Sequence, residues 1–359
     1  MIVSVAVVGL GYWGPNLIRN LVSLENVKVA VLCDLDRKRV EIFRQRFCPD
    51  ARAISDYRLL ADDQDIDAVV IATPIQTHYE LGSFLLANGK HVFIEKPLAR
   101  TEEECRKLIE VAERHNRVLM VGHVFEYSVA VRRIKQYLDS GELGNLFYVY
   151  SQRVNLGRIQ HDVNALWSFA PHDISIMNYW CGQPPVRVSA RGFSYLSDGI
   201  EDVVFVTLQY ANGVGAHLHL GWLDPRKVRL MTLVGSKKML VYDDVSLDAK
   251  IQIYDKGIAD LHDFLDAPES FAEFQFQLRV GDLVIPTIPF SEPLQSECQH
   301  FIDCIQNERR PLTDGLNGLR VVRVLEAAER SLKQDGKAVE LATELSAGSE
   351  NAQRVSREK

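Results

Sequence analysis

The sequence predicts an α/β protein: an N-terminal doubly wound parallel sheet, followed by a domain with an open, mainly antiparallel sheet. Three observations carry this prediction. A glycine-rich turn follows the apolar stretch at residues 3–8, and apolar stretches then alternate with amphipathic helical stretches as far as residue 122. After residue 146, short strand patterns separated by turn residues dominate. Alternation is typical of βαβ units, and closely spaced strands are typical of antiparallel sheets.

The first stretch, residues 3–34, has the pattern of a strand, a glycine turn, a helix and a second strand. Val3 to Val8 is almost wholly apolar, and Gly9, Gly11 and Gly14 follow in GxGxxG spacing. Asp34 comes 20 residues after Gly14, at the end of the second strand. Such a turn places backbone N–H groups near a diphosphate, and the acid can accept hydrogen bonds from a ribose. The pattern predicts a dinucleotide site; a tight turn that binds nothing is the alternative.

The charge of Asp34 favours NAD over NADP, because a carboxylate repels a 2′-phosphate. The basic residues just beyond it, Arg37, Lys38 and Arg39, are the feature that could tolerate a phosphate. We therefore predict NAD as the cofactor.

Composition indicates a globular protein of two domains. The chain has 359 residues, of which 47% are hydrophobic and 25% charged. Its net charge of −7 and pI of about 5.8 exclude a basic surface for nucleic acid or an anionic membrane. No apolar run reaches membrane-spanning length and no basic leader pattern opens the chain, so we expect a cytoplasmic protein.

Cysteine and histidine usage gives no metal-site pattern. The six cysteines are scattered without a CxxC pair, as expected of small buried side chains in a reducing compartment. His217 and His219 would share one face of a strand, but no nearby cysteine or acid completes a tetrahedral set. We predict no metal and expect these histidines on a sheet surface or interface.

The elements of the first domain follow in order to residue 123. The patterns predict a helix over 37–47, a strand over 67–73, a helix after Thr77, a strand over 91–94, a helix after Thr101 and a strand over 118–122. Thr77 with Glu80, and Thr101 with Glu104, have the spacing of capping boxes. The NAD-binding domain is predicted to cover residues 1–123.

The second domain is predicted to cover residues 124–342. It begins with a helix over 128–138, and strands are predicted over 147–153, 187–194, 201–210, 215–223, 228–234 and 238–242. Asn212-Gly213 and Gly235-Ser236 are turn signals between antiparallel neighbours. Residues 255–293 contain four prolines and are predicted to be an irregular excursion, a lid or an interface arm. Helices over 295–307 and 314–334 follow, the second with Asp314 as its cap, and residues 343–359 are predicted to be a disordered tail.

Two residues have chemistry suited to hydride transfer from an alcohol. Lys96 follows a buried strand, so it should project at the carboxyl edge of the sheet and stabilise charge on a substrate oxygen. His172, at the head of an apolar stretch, could act as a general base, with Asp173 orienting it or simply lying in a first helical turn. A solvated lysine and a structural histidine are the alternatives.

A polar run lies between these two residues. Arg153 and Arg158 could bind a diphosphate or carboxylate with paired donors, and Asn155 and Asn164 could bond sugar hydroxyls. The alternative is a polar surface loop with capping asparagines.

Together, GLGYWG near the N-terminus, Asp34, ATPIQTH at 72–78, EKPLA at 95–99 and APHD at 170–173 resemble the Gfo/Idh/MocA family of oxidoreductases. The resemblance covers roughly residues 2–342. It implies a Rossmann domain followed by an α/β domain whose open sheet builds a dimer or tetramer interface. It also implies NAD(P)-dependent oxidation or reduction of a sugar or cyclitol hydroxyl, with Lys96 as the family's EKP lysine and His172 as the histidine held over the nicotinamide.

The resemblance implies a set of site residues. Those expected at the cofactor are Gly9, Gly11, Tyr12, Trp13, Gly14, Asp34, Thr73, Pro74, His78, Glu95 and Lys96. Those expected at the substrate are Lys96, Arg153, Asn155, Arg158, Asn164, His172 and Asp173.

One position departs from the family pattern, because many members have an aspartate where this chain has Ser168. Catalysis would then depend on Lys96 and His172 alone, or Asp173 would substitute. Within the family, the RVNLGR…DVNALW…APHDI run resembles the sugar-nucleotide 3-dehydrogenases, such as those acting on UDP-N-acetylglucosaminuronate. A UDP- or dTDP-sugar is therefore the expected substrate. The alternatives are a free aldose, an inositol or an amino sugar, or a non-catalytic NAD-binding regulator.

Overall fold

A computed structural model describes residues 2–157, 163–258 and 278–341. The chain forms two compact units: residues 1–128 with 290–323, and residues 129–289 with 324–359. The predicted fold class is confirmed, since one unit contains a parallel sheet and the other a mostly antiparallel one. Among the described residues, no helix is both long and apolar enough to cross a membrane.

The first unit is built on six parallel strands in the spatial order β3-β2-β1-β4-β5-β6. Their bounds are β1 Val3–Val8, β2 Val27–Cys33, β3 Arg52–Ile54, β4 Ala68–Ile71, β5 His91–Glu95 and β6 Leu119–Gly122. The central strands are buried because helices cover both faces of such a sheet. The strand order reverses between β1 and β4, and open α/β sheets bind their ligands at this switch point.

The second unit contains nine strands in the order β14-β13-β12-β11-β7-β10-β9-β8-β15. Their bounds are β7 Leu146–Val154, β8 Arg187–Phe193, β9 Val203–Gln209, β10 Gly215–Gly221, β11 Val228–Gly235, β12 Met239–Asp243, β13 Ile251–Ile258, β14 Leu278–Val284 and β15 Val339–Glu340. All neighbours are antiparallel except β7 and β10. The predicted irregular excursion over 255–293 is therefore wrong where it meets β13 and β14, which pair with each other.

Eight α-helices lie in the described residues. They are α1 Gly14–Val22, α2 Arg37–Phe47, α3 His78–Ala87, α4 Glu102–Arg114, α5 Val129–Asp139, α6 Ala165–Cys181, α7 Pro293–Gln306 and α8 Gly315–Leu332. Their buried positions recur at helical spacing, as with Cys105, Leu108 and Ala112 in α4. Asp314 accepts a hydrogen bond from the Asn317 N–H (2.8 Å), which confirms it as the cap of α8.

The two predicted capping boxes have different outcomes. The Thr101 hydroxyl accepts a hydrogen bond from the Glu104 N–H at 3.1 Å and caps α4. The Thr77 hydroxyl makes no such bond, because a 3₁₀ turn over Ile75–Thr77 precedes α3 and the hydroxyl donates to the Pro74 carbonyl instead. The Glu80 carboxylate accepts from the Tyr57 hydroxyl. The prediction of a capping box at Thr77 is therefore wrong.

Helix α6 begins earlier than the sequence suggested. The Asn164 side chain accepts a hydrogen bond from the Trp167 N–H at 3.1 Å, so the helix starts at Ala165 and Pro171 lies inside it. The interpretation that places His172 at the beginning of a helix is wrong, since His172 lies in its middle. A proline usually marks a first turn, and here the asparagine cap upstream determines the start.

Residues 290–323 group with the first unit although they follow the second sheet in the chain. Leu294 and Phe301 of α7 belong to the same buried cluster as Leu17 and Phe93. The Arg19 guanidinium also pairs with Glu292 just before α7. The predicted boundaries at 1–123 and 124–342 do not contain this return, because they follow chain order. The predicted tail at 343–359 lies outside the described residues.

Candidate active site

The glycine turn lies at the switch point of the first sheet, between the ends of β1 and β4. Gly9 has a φ of +92°, and a Cβ there would lie 2.7 Å from the Ala72 carbonyl oxygen in the loop after β4. A Cβ on Gly14 would overlap the Gly9 carbonyl oxygen. At Gly11, by contrast, a Cβ would meet nothing within 4 Å. Two glycines therefore make the turn tight, and the third leaves one side of it open to a ligand.

The start of α1 suits a diphosphate. No side chain caps this helix at Trp13, no acid lies in its first turn, and Pro15 occupies a position where a missing N–H has no cost. Its first N–H groups and its dipole therefore suit an anion at the glycine turn. Tyr12 is 85% exposed beside it. The residues present fit the diphosphate of NAD.

Asp34, at the end of β2, has a structural role as well as the predicted ribose role. One carboxylate oxygen accepts from the Leu10 N–H at 2.7 Å, and the other accepts from the Asp36 N–H at 2.9 Å. The Arg39 guanidinium lies 3.8 Å from the same carboxylate. Asp34 thus holds the glycine turn through the Leu10 N–H, while its charge lies at the predicted ribose position.

His78 connects the loop after β4 to the loop after β5. Its Nδ1 lies 2.9 Å from the Pro97 carbonyl oxygen, and its Nε2 lies 2.9 Å from the Thr73 carbonyl oxygen. Burial is the main cause that lowers the pKa of His78, and the side chain is 2% exposed. The structure brings Thr73, Pro74 and His78 together at this edge, with His78 holding the loop that carries Lys96.

Lys96 follows β5 at the same carboxyl edge. Its backbone N–H donates to the Glu95 carboxylate at 3.2 Å, and the Trp13 side chain has a smaller effect that lowers the pKa of that carboxyl. Glu95 is 8% exposed and lies over Gly122, where a Cβ would be 3.1 Å from its oxygen. Burial, partly offset by Lys96, raises the pKa of Glu95 to about 7. The lysine of this edge therefore has a buried acid beside it.

In the second unit, His172 and Asp173 have different surroundings. His172 is half-buried on α6, and Ser168 lies four residues earlier on the same helix face. Asp173 is 1% exposed, and its carboxylate accepts from the Ser151 hydroxyl at 2.8 Å and from Arg153 Nε at 2.7 Å. Asp173 is therefore part of a buried ion pair with β7 and does not lie in a first helical turn.

The four predicted residues of the polar run have different outcomes. Arg153 is 5% exposed and its guanidinium bonds Asp173, so it is a structural cation here. Asn164 caps α6 and donates to Glu201 at 2.7 Å. Asn155 lies at the end of β7, where its N–H donates to the Gly221 carbonyl. Arg158 lies outside the described residues. The substrate roles of all four remain predictions.

The buried polar residues of the first unit that sequence reasoning missed include His123, Glu126 and Glu297. The available signal was the position of Glu297 on α7, three residues after Leu294 and four before Phe301. An acid at that spacing lies on the apolar face of an amphipathic helix.

Two models of one family match the chain. One is described as "Oxidoreductase family, NAD-binding Rossmann fold" and matches residues 3–123. The other is described as "GFO/IDH/MocA C-terminal domain" and matches residues 131–241. Together they cover almost two thirds of the chain.

Individual proteins are more distant. The inositol 2-dehydrogenase of Salmonella paratyphi B is 24% identical over 288 residues, which are 74% of this chain and 86% of the relative. A UDP-N-acetylglucosamine 3-dehydrogenase structure from Acidithiobacillus ferrooxidans is 22% identical with a TM-score of 0.78, covering 93% of this chain and 99% of that one. An oxidoreductase from Agrobacterium radiobacter, solved with NAD+, L-tartaric acid and magnesium, is 19% identical with a TM-score of 0.76, covering 95% and 98%. At these identities the structural likeness shows a shared fold.

Proposed function

Because the chain belongs to the Gfo/Idh/MocA family of NAD-binding oxidoreductases, we propose that it oxidises or reduces a secondary hydroxyl of a sugar, and that this sugar is nucleotide-linked and reacts at C3. The observation that supports the chemistry is the placement of Lys96. It lies at the carboxyl edge of the NAD-binding sheet, beside buried Glu95 and in a loop held by His78. A cation at this edge suits an alcohol oxygen that becomes negative as hydride leaves.

Each residue has one role in the proposed reaction. NAD, when bound, supplies the acceptor for the hydride of the carbinol carbon. Lys96 stabilises the charge on the substrate oxygen, and His172 accepts the hydroxyl proton. Ser168 occupies the position, four residues before His172, at which many family members have an acid. Asp173 does not substitute for that acid, because its carboxylate is bonded to Arg153 and Ser151.

The nucleotide-linked substrate is supported by the resemblance of the 153–173 run to sugar-nucleotide 3-dehydrogenases. The second candidate is an inositol, favoured by the Salmonella inositol 2-dehydrogenase among the relatives. The two substrates differ in one respect that binding can test: only the sugar nucleotide carries a base and a diphosphate.

Thermal-shift measurements distinguish the two candidates. A ligand that binds only the folded protein raises the free energy of unfolding by RT ln(1 + L/Kd), where L is the free ligand concentration. With NAD present, UDP-N-acetylglucosamine or its uronate should raise the melting temperature by several degrees, while myo-inositol and free N-acetylglucosamine should not. A shift with inositol and none with any UDP- or dTDP-sugar would contradict the nucleotide-linked proposal.

We also propose a homo-oligomer formed through the face of the nine-stranded sheet on which Tyr150, Thr207 and His217 are exposed. Tyr150, His217 and Thr207 are register neighbours across β7, β10 and β9, and all three are exposed. Phe205 stacks on His219 at 4.7 Å on the same face. A broad aromatic face on an open sheet is typical of a subunit interface.

None of the six cysteines, all of them in the described ranges, forms a disulfide, which is compatible with the proposed cytoplasmic location.

A further inference from the structure

Three buried carboxyl groups of the first unit, those of Glu95, Glu126 and Glu297, interact with one another next to Lys96. Glu297 on α7 is 0% exposed, and neither of its carboxyl oxygens has a hydrogen-bond partner among the described residues. It interacts electrostatically with Glu95 and Glu126, which are also buried. Buried polar groups are almost always paired, so an acid in this position requires a physical explanation.

The surrounding elements supply little positive charge to Glu297. The titratable or polar groups that face the cluster are Glu95 at the end of β5 and Lys96 directly after it, His123, Glu126 and Tyr127 after β6, Cys298 and His300 on α7, and Asn317 on α8. From α1, Arg19 pairs with Glu292 at the start of α7. Burial, with Lys96 as the second cause, lowers the pKa of His123 to about 3, so this histidine is neutral.

The three acids differ in what stabilises their charge. Glu95 accepts from the Lys96 N–H through Oε2 and faces the charge of Lys96, while its Oε1 has no hydrogen-bond partner among the described residues. Glu126 accepts from the Asn317 amide at 3.0 Å. Glu297 has no donor among the described residues. Neighbouring carboxyl groups in a low dielectric cannot all ionise, and the one without a donor keeps its proton.

We propose that Glu297 stays protonated at neutral pH and is a positioning residue that acts on Lys96 through Glu95. In this state Glu95 faces Lys96 with no additional negative charge from α7. Ionised Glu297 would weaken the positive field that Lys96 applies to the substrate oxygen. The effect on Lys96 rests on the proposed function, whereas the protonation of Glu297 does not.

The direction of the pKa shifts agrees with this assignment. Burial is the first cause that raises the pKa of Glu297 well above its usual range, and the charges of Glu95 and Glu126 add to it. Because the folded protein then holds this proton more tightly than the unfolded chain, the free energy of unfolding falls as the pH rises above about 4.5. Replacement of Glu297 by glutamine removes this loss.

Melting temperatures of wild type and Glu297→Gln, measured at pH 5 and pH 8 without ligand, test the protonation. The melting temperature of the variant, relative to that of wild type, should be higher at pH 8 than at pH 5 by at least about 3 °C. Glu292→Gln is the matched control, because Glu292 directly precedes the same helix, α7. Arg19 lowers the pKa of Glu292, so that carboxyl titrates below this window and its difference from wild type should stay constant. A Glu297→Gln difference that does not grow with pH would overturn the proposal.

The pH profile of kcat for NAD reduction tests the positioning role. If ionisation of Glu297 at alkaline pH weakens the field of Lys96, it contributes to the alkaline limb of the profile. Glutamine imitates the neutral acid and does not ionise. Glu297→Gln should therefore keep the acidic limb and move the alkaline limb to higher pH by about one unit. An unchanged alkaline limb would show that Glu297 does not act on Lys96. If none of the sugars supports NAD reduction, the proposed function is contradicted. The melting temperatures would still decide whether Glu297 is protonated.

Discussion

At the scale of single residues, Asp34 shows how one carboxylate can serve both structure and specificity. It accepts hydrogen bonds from the Leu10 and Asp36 N–H groups, so it holds the glycine turn in place. Its negative charge is also the feature that opposes a 2′-phosphate. The two roles can be separated, because an amide keeps an acceptor oxygen without the charge.

Asp34→Asn should therefore reduce the preference for NAD without unfolding the turn. We expect the ratio of the Kd for NADP to that for NAD to fall about tenfold, which corresponds to about 1.4 kcal/mol. Isothermal titration with both nucleotides measures the ratio. Asp36→Asn, two residues on, serves as the control. A tenfold loss for both nucleotides alike would show that the carboxylate acts only through the turn.

Residue chemistry was predictable from sequence where it depended on a motif, and not where it depended on a distant partner. Lys96 and the glycines lie at one sheet edge because parallel strands end there together. Arg153 and Asp173 are 20 residues apart, and only the packing of α6 on β7 makes them an ion pair. A sequence shows two charges, but it does not show whether they face each other or a ligand.

At the scale of elements, α6 depends on its asparagine cap. Asn164 accepts from the Trp167 N–H and donates to Glu201, and the helix contains Pro171, which removes one internal hydrogen bond. Because the helix lacks this hydrogen bond, its stability should depend strongly on the cap of its first turn. Since the helix carries His172, its stability matters for the proposed site.

Asn164→Ala should lower the free energy of unfolding by about 1 kcal/mol, the usual value of an N-cap, while Asn164→Ser should retain most of it. Denaturant titration of the protein without ligand measures the difference. The two variants also separate the cap from the predicted substrate role. If Asn164 binds sugar instead, both variants should raise KM equally and leave the stability unchanged.

Element boundaries were predictable where local hydrogen bonds determine them. Thr101 caps α4 as its spacing predicts, and the helix over 37–47 has its predicted bounds. The Thr77 spacing is the same, but the loop after β4 turns through a 3₁₀ segment and His78 is drawn to Pro97 and Thr73. The tertiary contact therefore outweighs the local capping preference.

At the scale of the whole molecule, the exposed residues on one face of the nine-stranded sheet predict a homo-oligomer. Tyr150, on the central strand β7, is 41% exposed beside His217. Burial of such a face against a second copy would stabilise a dimer mainly through apolar area. A single charge at its centre should weaken that association.

Light scattering after gel filtration should therefore give a dimer or tetramer for wild type and a smaller species for Tyr150→Glu. Leu59→Glu is the matched control, because Leu59 is 63% exposed and belongs to the first unit, which does not contain this sheet. A monomeric wild type, or a Tyr150→Glu variant of unchanged mass, would contradict the predicted interface.

Lys96, at the edge of the NAD-binding sheet, should support hydride transfer from a sugar hydroxyl. The most direct measurement is the absorbance of the reduced nicotinamide, followed as wild type and Lys96→Ala are each given NAD and a panel of UDP- and dTDP-sugars. Wild type should reduce NAD with at least one of them. Lys96→Ala should lose about 10³-fold or more in kcat while its Kd for NAD, measured by titration, changes little. An active Lys96→Ala variant, or one that loses NAD binding together with activity, would contradict this role of Lys96.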